Sequence, residues 1–418
     1  MISRFNFNIS IIQTFINLFK LACYAKKDNR DSLEKKLLNY YPNSNFYFFD
    51  HGRTALFEML NQIKRKSKKR KILVNSMTLF EVINVIIYAG FEPVFLDNSK
   101  NSFETDLDIN KAQLDKKDIA AIIITHLNGF NKNIFSVKKQ LIDHNEKNDY
   151  IYLIEDCAVS LGAKSNNTYT GSIGDFSFLS FNIMKNITCY TGGVLIDNKK
   201  GISSITSGKY LNQNRLNIIK KIIFVLIIQI LNSRLLFPIF FKFIRFSHKN
   251  SFNFFLKKYR TDFVVSIEEE MPKKFLYLLH PFQIDILIPQ FSNLEKNQLI
   301  RMQNSKYYYE NLKHLDELKF PQIEFTQENI FIDFPIICST KQIKQDLFNH
   351  LLNKNIDVKN YYYKNCSEEN IYFKYENNCI NAKSISDNII MLPVHKKVTL
   401  DLKDSIILKI NNFFKEGN

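Results

Sequence analysis

A carboxylate and an amine each follow a short apolar segment in the middle of the chain. Asp156 ends a run from Ile151 that is typical of a buried strand. Lys185 lies on a turn after a second expected strand, 175–179, and a glycine pair then precedes a third strand, 194–196. Both side chains can therefore meet at one edge of a sheet. An enzyme that uses pyridoxal phosphate needs this pair, because its lysine amine forms a Schiff base with the cofactor and its carboxylate keeps the pyridine nitrogen protonated.

The residues around this pair make the interpretation specific. Lysine is abundant in the chain, so the pair alone would not identify a cofactor site. The segments EDCAVSLGA, GSIGDFSFLSFNIMKN and GG resemble the signature of the DegT/DnrJ/StrS sugar aminotransferases, ED-x-A-x-x-x-GA followed by G-D-x-x-x-F-S-F and S-F-x-x-x-K-N. Leu179 stands in place of one phenylalanine. The resemblance implies that Lys185 carries the cofactor, that Asp156 pairs with the pyridine nitrogen and that Ser180 binds the cofactor phosphate.

Alternating strands and helices indicate the fold class. The apolar run 120–125 is typical of a strand buried on both faces of a parallel sheet, and 135–145 is expected to be a crossover helix. We expect an α/β protein, the αβα sandwich of fold-type I aminotransferases, which resembles aspartate aminotransferase, with a smaller C-terminal α/β domain. The expected divisions are an amphipathic N-terminal segment, a large cofactor-binding domain and a small C-terminal domain, at 1–31, 32–299 and 300–418.

A second group of candidate residues surrounds a strand-to-helix turn. Gly52 follows the apolar segment 46–49, and a helical pattern begins at Ala55. A glycine turn at a helix start presents free N–H groups and the positive end of the helix dipole to an anion. The turn resembles the family's S-G-T-A-A-L, which holds the cofactor phosphate. Gly52, Arg53 and Thr54 are therefore predicted to bind the cofactor.

Further contacts are predicted from the resemblance. Thr78 matches a family threonine, and Phe80 is expected to replace the aromatic residue that covers the cofactor ring, because position 79 is leucine. His126 begins THLNG, which is similar to the family's H-x-x-G, and it is either a cofactor or substrate contact or a structural residue. Val159 takes the place of the residue near the cofactor's phenolic oxygen.

Composition argues against other classes of protein. The formal net charge is +16, but the basic residues are scattered, and Lys, Asn, Ile and Phe are all frequent, as AT-rich codon usage would produce. Without a basic-aromatic motif, no nucleic-acid partner is expected. The six cysteines form no C-x-x-C pair and no metal-ligand spacing with histidine, so we expect reduced thiols, no metal and a cytoplasmic protein. No secretory signal is recognised.

Two apolar segments have open interpretations. The N-terminal helix is expected to pack on the protein's own body, with a membrane surface as the alternative. An apolar hairpin is expected at about 214–256, and its run 222–231 is too short to span a bilayer, which takes roughly 20 residues. It is either a buried or dimer-interface hairpin, or a hairpin that dips into a membrane face. Its basic anchors in the second case would be Lys220, Lys221, Arg234, Lys242 and Arg245.

The function implied is that of a pyridoxal phosphate-dependent aminotransferase. It would move an amino group, with glutamate as the expected donor, to a keto sugar nucleotide for surface polysaccharide or other glycan biosynthesis. A homodimer is implied, in the cytoplasm or peripheral at the inner face of the membrane. The alternative is a degenerate family member that binds cofactor or a partner without transamination, as a membrane-associated scaffold. Its support is Val159, the altered turn at Gly52, the apolar hairpin, and the absence at 276–278 of the N-x-R by which a partner subunit of the family reaches the phosphate.

Overall fold

The computed structural model describes residues 3–4, 7–25, 28–105, 107–108, 118–130, 133–146, 149–202, 204–205, 208–249, 266–326, 328–360, 363–375 and 378–416. Its strands are β1 (Asn45–Phe49), β2 (Lys71–Asn75), β3 (Glu92–Leu96), β4 (Ile119–Thr125), β5 (Tyr152–Asp156), β6 (Lys164–Ser165), β7 (Thr168–Tyr169), β8 (Phe176–Ser180), β9 (Gly193–Asp197), β10 (Leu211–Asn212), β11 (Tyr277–Leu278), β12 (Leu318–Lys319), β13 (Asp333–Cys338) and β14 (Ile389–Pro393).

The helices, numbered in chain order, surround these strands. They are α1 (Ile11–Ala22), α2 (Arg30–Leu38), α3 (Gly52–Lys66), α4 (Phe80–Tyr88), α5 (Ile134–Asn145), α6 (Arg215–Leu231), α7 (Phe237–Lys249), α8 (Pro281–Leu287), α9 (Leu294–Leu312), α10 (Lys341–Asn353), α11 (Ile380–Asn388) and α12 (Leu400–Glu416). Short 3-10 helices occupy Leu127–Gly129, Lys273–Phe275, Ile288–Asn293, Cys366–Glu368 and Asn370–Tyr372.

A nine-stranded sheet in the order β10-β11-β1-β9-β8-β5-β4-β2-β3 forms the centre of the molecule. The strands from β8 to β3 in this order are parallel to their neighbours, whereas β9 is antiparallel to both β8 and β1. Every residue of β4 is buried, because helices cover both faces of a parallel sheet. The predicted α/β sandwich of fold-type I is confirmed. Parallel order also brings the carboxyl ends of β5 and β8 to the same edge.

A smaller sheet lies towards the C-terminal end of the chain. Its order is β12-β13-β14, all antiparallel, and α10 and α11 lie between β13 and β14 in the chain. The helix α9 leads from the residues of the large sheet into this part and runs through position 300 without interruption. The domain boundary at 299 and 300 stays a prediction.

Helix α1 packs against α6 through an unexpected face. Its buried residues are Thr14, Asn17 and Leu21, while its large apolar side chains are exposed, Ile12 by 69% and Phe19 by 62%. The predicted packing on the protein's own body therefore occurs mainly through polar residues. No helix within the described ranges is both long and apolar enough to cross a bilayer.

Candidate active site

Asp156 and Lys185 lie at neighbouring strand ends. Asp156 is the last residue of β5, and β8, which pairs with β5, ends at Ser180. The chain then turns, and the Lys185 N–H donates to the Asn182 carbonyl at 3.1 Å. The Lys185 ammonium and the Asp156 carboxylate are close enough to shift each other's pKa. The two residues that the sequence predicts as a pair are thus brought together.

Burial of Lys185 and the charges around it bring the pKa of its amine close to physiological pH. Burial lowers the pKa of Lys185 to about 8, while Asp156 and then Glu81 act in the opposite direction. The cations of Lys359 and Arg53 lower this pKa further. Burial raises the pKa of Asp156, and the Lys185 charge opposes that rise. An amine with this pKa can act both as a nucleophile and as a proton carrier.

The start of α3 lies beside Ser180 and offers a place for an anion. A Cβ at Gly52 would lie 3.1 Å from the Leu179 carbonyl oxygen and 3.2 Å from Ser180 Cβ. From β9, a Cβ at Gly193 would lie 2.3 Å from the Gly52 nitrogen. The first N–H groups of a helix lack partners within it, and the helix dipole favours negative charge there. We call Gly52, Ser180 and Gly193 the cradle, because the first and last approach this closely only without side chains.

The two residues that follow Gly52 point in different directions. The Arg53 guanidinium pairs with Glu81 at 3.2 Å and lies 4.4 Å from the centroid of the Phe275 ring. It is one of the cations that act on Lys185. Thr54 is buried, and its hydroxyl donates to the Phe275 carbonyl at 2.6 Å. The Thr54 proton is therefore engaged with the segment before β11, whereas Arg53 remains beside the amine.

Asp50, which was not among the residues predicted from the sequence, organises the other side of the cradle. It is fully buried, and its carboxylate accepts hydrogen bonds from Lys221 at 2.5 Å, Thr191 at 2.7 Å and Gln213 at 2.8 Å. His51 Nδ1 lies 3.1 Å away. Burial raises the pKa of Asp50, but His51 and Lys221 outweigh it and hold this pKa at about 2. The prediction that Lys221 anchors a hairpin to a membrane is wrong, because this lysine points inward to a buried carboxylate.

His126 lies next to Asp156 but binds a different carboxylate. Its ring Nε2 lies 2.8 Å from Glu155 Oε2, and both side chains are fully buried. Glu155 also accepts N–H bonds at 2.6 to 2.8 Å from Gly171, Ile173 and Gly174. The pair therefore holds the loop before β8. The other ring nitrogen of His126 is buried without a hydrogen-bond partner among the described residues, so its contact with a cofactor or substrate stays a prediction.

The other three predicted contacts lie on segments that follow strand ends. Thr78 is buried after β2, and its Oγ1 accepts a hydrogen bond from Thr125 Oγ1 at 3.4 Å. Phe80 is the first residue of α4 and is partly exposed. Val159 is buried in the turn after β5. All three belong to the edge that carries Asp156, and their roles stay predictions.

The N-terminal segment reaches the loop that carries Lys185. The Asn8 side chain donates to the Lys185 carbonyl at 2.6 Å and to the Asn186 carbonyl at 2.8 Å. From α1, the Asn17 side chain donates to the Tyr190 hydroxyl at 2.9 Å. Tyr190 has a φ of 73°, a left-handed conformation that these contacts help to hold. The sequence around Asn8 does not indicate this role, because Asn8 contacts the backbone of Lys185 and Asn186, which lie far along the chain.

Pyridoxal phosphate fits the groups at this edge. Its aldehyde requires an amine, its ring nitrogen a carboxylate and its phosphate an anion site. Lys185 and Asp156 could supply the first two, and the cradle could supply the third. The fit for a phosphate depends on Gly52, because any side chain at this position would occupy the space beside Ser180.

Solved structures share this fold across nearly the whole chain. The Helicobacter pylori PseC, an aminotransferase involved in the biosynthesis of pseudoaminic acid, superposes with a TM-score of 0.70 at 15% identity and covers 96% of both chains. The sugar aminotransferase Spr1654 from Streptococcus pneumoniae gives a TM-score of 0.72 at 17% identity, over 100% of this chain and 98% of its own. It has been solved in both PMP and PLP forms.

Curated relatives match over a shorter stretch. GDP-perosamine synthase of Escherichia coli O157:H7 is 29% identical over 134 residues, which are 32% of this chain and 35% of that protein. A UDP-4-amino-4,6-dideoxy-N-acetyl-beta-L-altrosamine transaminase of Campylobacter jejuni is 31% identical over 139 residues, 33% of this chain and 35% of that protein. The chain thus aligns with about a third of the length of these relatives.

The family model gives the broadest sequence match. It covers residues 9–207 and 274–411, and therefore includes Asp156, Ser180, Lys185 and both glycines of the cradle. The cofactor of this family is pyridoxal phosphate, which agrees with the groups at the sheet edge. The chain belongs to the DegT/DnrJ/EryC1/StrS aminotransferase family.

Proposed function

We propose that the protein is an aminotransferase that moves an amino group from a donor, expected to be glutamate, to a keto sugar nucleotide. The observation that carries the proposal is the Lys185 amine, with a pKa lowered to about 8, facing the buried Asp156 carboxylate beside the cradle. A protein that acted only as a scaffold would need neither the Lys185 amine nor the Asp156 carboxylate nor the cradle. The family match and the sugar aminotransferases among the relatives support the same activity.

The proposed roles follow from the position of each group. When bound, pyridoxal phosphate supplies an aldehyde to receive the amino group and a ring that can accept electrons. Lys185 would hold the cofactor covalently, Asp156 would keep its ring nitrogen protonated, and the cradle would bind its phosphate. When it is not bound to the cofactor, the Lys185 Nζ would be the base that removes the proton from the donor's α-carbon, and it would return a proton to the sugar carbon that receives the amino group. Arg53, which follows Gly52 and influences the pKa of Lys185, is a cation that could bind an anionic substrate group.

The substrate class rests on the relatives. Two of them are named for GDP-linked and UDP-linked amino sugars, and PseC for a step towards pseudoaminic acid. We infer a keto sugar carried on a nucleoside diphosphate, used for lipopolysaccharide or another surface glycan. The roles of Thr78, Phe80, His126 and Val159 in binding it are part of this proposal.

The assembly and location are also proposed. A homodimer is supported by the family resemblance. The segment 276–278, however, pairs within the same chain, because Tyr277–Leu278 forms β11 beside β1. We infer a cytoplasmic protein, with peripheral contact at the inner face of the membrane through 214–256. Its support is the set of exposed apolar side chains on α6 and α7.

The test is an absorbance spectrum of the purified protein with added pyridoxal phosphate, before and after glutamate. We expect a band that shifts on addition of glutamate. The Lys185→Ala variant should give neither the normal band nor the shift, while Lys341→Ala, at an exposed lysine of α10, should behave as the wild type. A cofactor-bound protein that ignores every amino donor would instead favour the non-catalytic scaffold.

A further inference from the structure

Three neighbouring helices expose an unusual amount of apolar surface. Large apolar residues exposed by more than a third number 25 in the described chain, and α1, α6 and the α7 region carry 15 of them. They are Ile11, Ile12, Phe15, Ile16, Phe19, Leu216, Ile223, Phe224, Ile227, Ile230, Leu235, Leu236, Ile239, Phe243 and Phe246. We call this set the apolar face. A concentration of exposed apolar side chains on neighbouring helices is typical of a site that contacts a protein or a membrane.

Helix α1 is bound to α6 along its whole length with its polar side inward. At one end the Arg215 side chain donates to the Tyr24 carbonyl, and at the other the Gln229 side chain donates to the Ile9 carbonyl at 2.8 Å. The two helices are therefore antiparallel neighbours. Because these bonds and the Asn17 contact fix the orientation of α1, its apolar side cannot turn inward without breaking them.

The apolar face belongs largely to a segment outside the family model. That model does not match residues 208–273, which contain α6 and α7. Helix α7 packs inward through Phe237, Phe241 and Ile244 and carries its exposed residues on the opposite side. Ten of the fifteen residues of the apolar face therefore lie where the family model has no match, while the five on α1 lie within the matched range.

The charge of the segments that carry the apolar face favours an anionic partner. The segments 1–27 and 198–261 contain no aspartate or glutamate. Exposed cations lie among the apolar residues, at Lys20, Lys220, Arg234 and Lys242. In a two-fold dimer the same patch meets itself, which would place these cations opposite one another without a carboxylate from either segment. Negatively charged lipid headgroups would neutralise them, and each cation near such a surface contributes about 1 kcal/mol.

We infer that the apolar face, which α1, α6 and the α7 region carry, docks the protein on the surface of an anionic membrane. Amphipathic helices of this length lie in the plane of the interface, with apolar side chains among the acyl chains and cations at the headgroups. The inference goes beyond the proposed aminotransferase activity and does not depend on it.

The experiment is flotation of the full chain with vesicles of phosphatidylcholine alone or mixed with phosphatidylglycerol. We expect recovery with the mixed vesicles and much less with the neutral ones. Replacing both Lys20 and Lys242 by glutamine should weaken binding about fivefold for each charge, about 25-fold in total. The pair Phe19→Ser and Phe243→Ser should abolish recovery.

Two controls separate this result from misfolding and from self-association. Phe373→Ser with Leu408→Ser removes equally exposed apolar side chains elsewhere and should leave recovery unchanged. Equal recovery of the Phe19/Phe243 variant, or no preference for the anionic vesicles, would overturn the inference. Light scattering on the wild type and on the Phe19/Phe243 variant tests the alternative of self-association. A dimeric wild type and a monomeric variant, neither of which binds vesicles, would also overturn the inference. The glutamate-dependent spectrum of each variant reports on the active site, so failure here would leave the proposed activity standing.

Discussion

Lys221 of α6 donates a 2.5 Å hydrogen bond to Asp50, the residue two positions before Gly52. This bond joins a helix that the family model does not match to the turn that forms the cradle. The same ammonium donates to the Thr191 hydroxyl at 3.0 Å, next to the glycine pair at which β9 begins. Helix α6 therefore contributes to the geometry of this turn, at the point where the cofactor phosphate is proposed to bind.

Replacing Lys221 by methionine should destabilise the protein and weaken cofactor binding. The Asp50 carboxylate would keep its charge in a buried place with one donor fewer, which costs about 1–3 kcal/mol. Urea denaturation measures the loss, and titration with pyridoxal phosphate measures the affinity. Lys220→Met removes the adjacent, exposed lysine and is the matched control. Equal stability of the two variants would show that the Asp50 bond is dispensable.

The Asp50 network should also appear in acid denaturation. Its folded pKa of about 2 lies below the ordinary value of 3.8, so the ionised form is favoured by folding. The stabilisation is present above about pH 4 and is lost as the pH falls towards 2. Asp50→Asn should therefore flatten the dependence of the free energy of unfolding on pH in that window. An unchanged slope between pH 4 and pH 2 would contradict the low pKa.

Cofactor attachment should depend on the ionisation of Lys185. Only the neutral amine attacks an aldehyde, and its pKa is lowered to about 8, so the rate of attachment should rise between pH 7 and pH 9 with a midpoint near 8. Asp156→Asn removes the carboxylate that opposes this shift, so its midpoint should lie lower. Stopped-flow absorbance at several pH values measures both. A midpoint near the ordinary value of 10.5 would contradict the described surroundings of the amine.

A methyl group at position 52 should impair the cradle. In Gly52→Ala the new Cβ would press on the Leu179 carbonyl and on Ser180, and overpacking of this kind costs about 1–3 kcal/mol. We expect cofactor affinity to fall about tenfold or more, since 1.4 kcal/mol corresponds to about tenfold. Gly201→Ala is the control, because its Cβ would meet only the end of the flexible Lys66 side chain. Equal affinities in the two variants would remove Gly52 from the phosphate site.

His126→Gln distinguishes the two interpretations of that histidine. If its contact with Glu155 is its main role, the variant should lose about 1–3 kcal/mol of stability while its spectrum still responds to glutamate. His314→Gln, at an exposed histidine, controls for the substitution itself. Full stability together with a lost glutamate response would instead identify His126 as a cofactor or substrate contact.

The fold and the central pair could be predicted because their signals are local. The apolar runs before Asp156 and before Thr125 specify buried strands, and parallel neighbours must end at the same edge. The positions of Asp156, Ser180 and Lys185 relative to those strands then follow. Gly52 could be found for a similar reason, since a glycine between a strand and a helix is visible in the sequence.

The remaining parts of the site depend on contacts between distant residues. Asp50 and Lys221 are 171 positions apart, and nothing near either residue indicates the other. Helical periodicity predicted α1 but not which side faces the protein, because the buried side is selected by partners such as Tyr190 and Gln229. The Thr54 hydroxyl is likewise directed by the Phe275 carbonyl, which lies beyond any pattern around the turn.

Asn8 and Ser3 set the order in which the molecule can be completed during synthesis. Asn8 contacts a carbonyl 177 positions later, and the Ser3 carbonyl lies 3.2 Å from the ring of His395, 392 positions later. A chain leaves the ribosome from its N-terminal end, so this segment must wait until almost all of the described chain has been made. During that interval Phe15 and Phe19 have none of the surface that later fixes their helix. Within the described chain this segment is therefore made before the residues that hold it, and it can find its place only after Lys185 and His395 have been made.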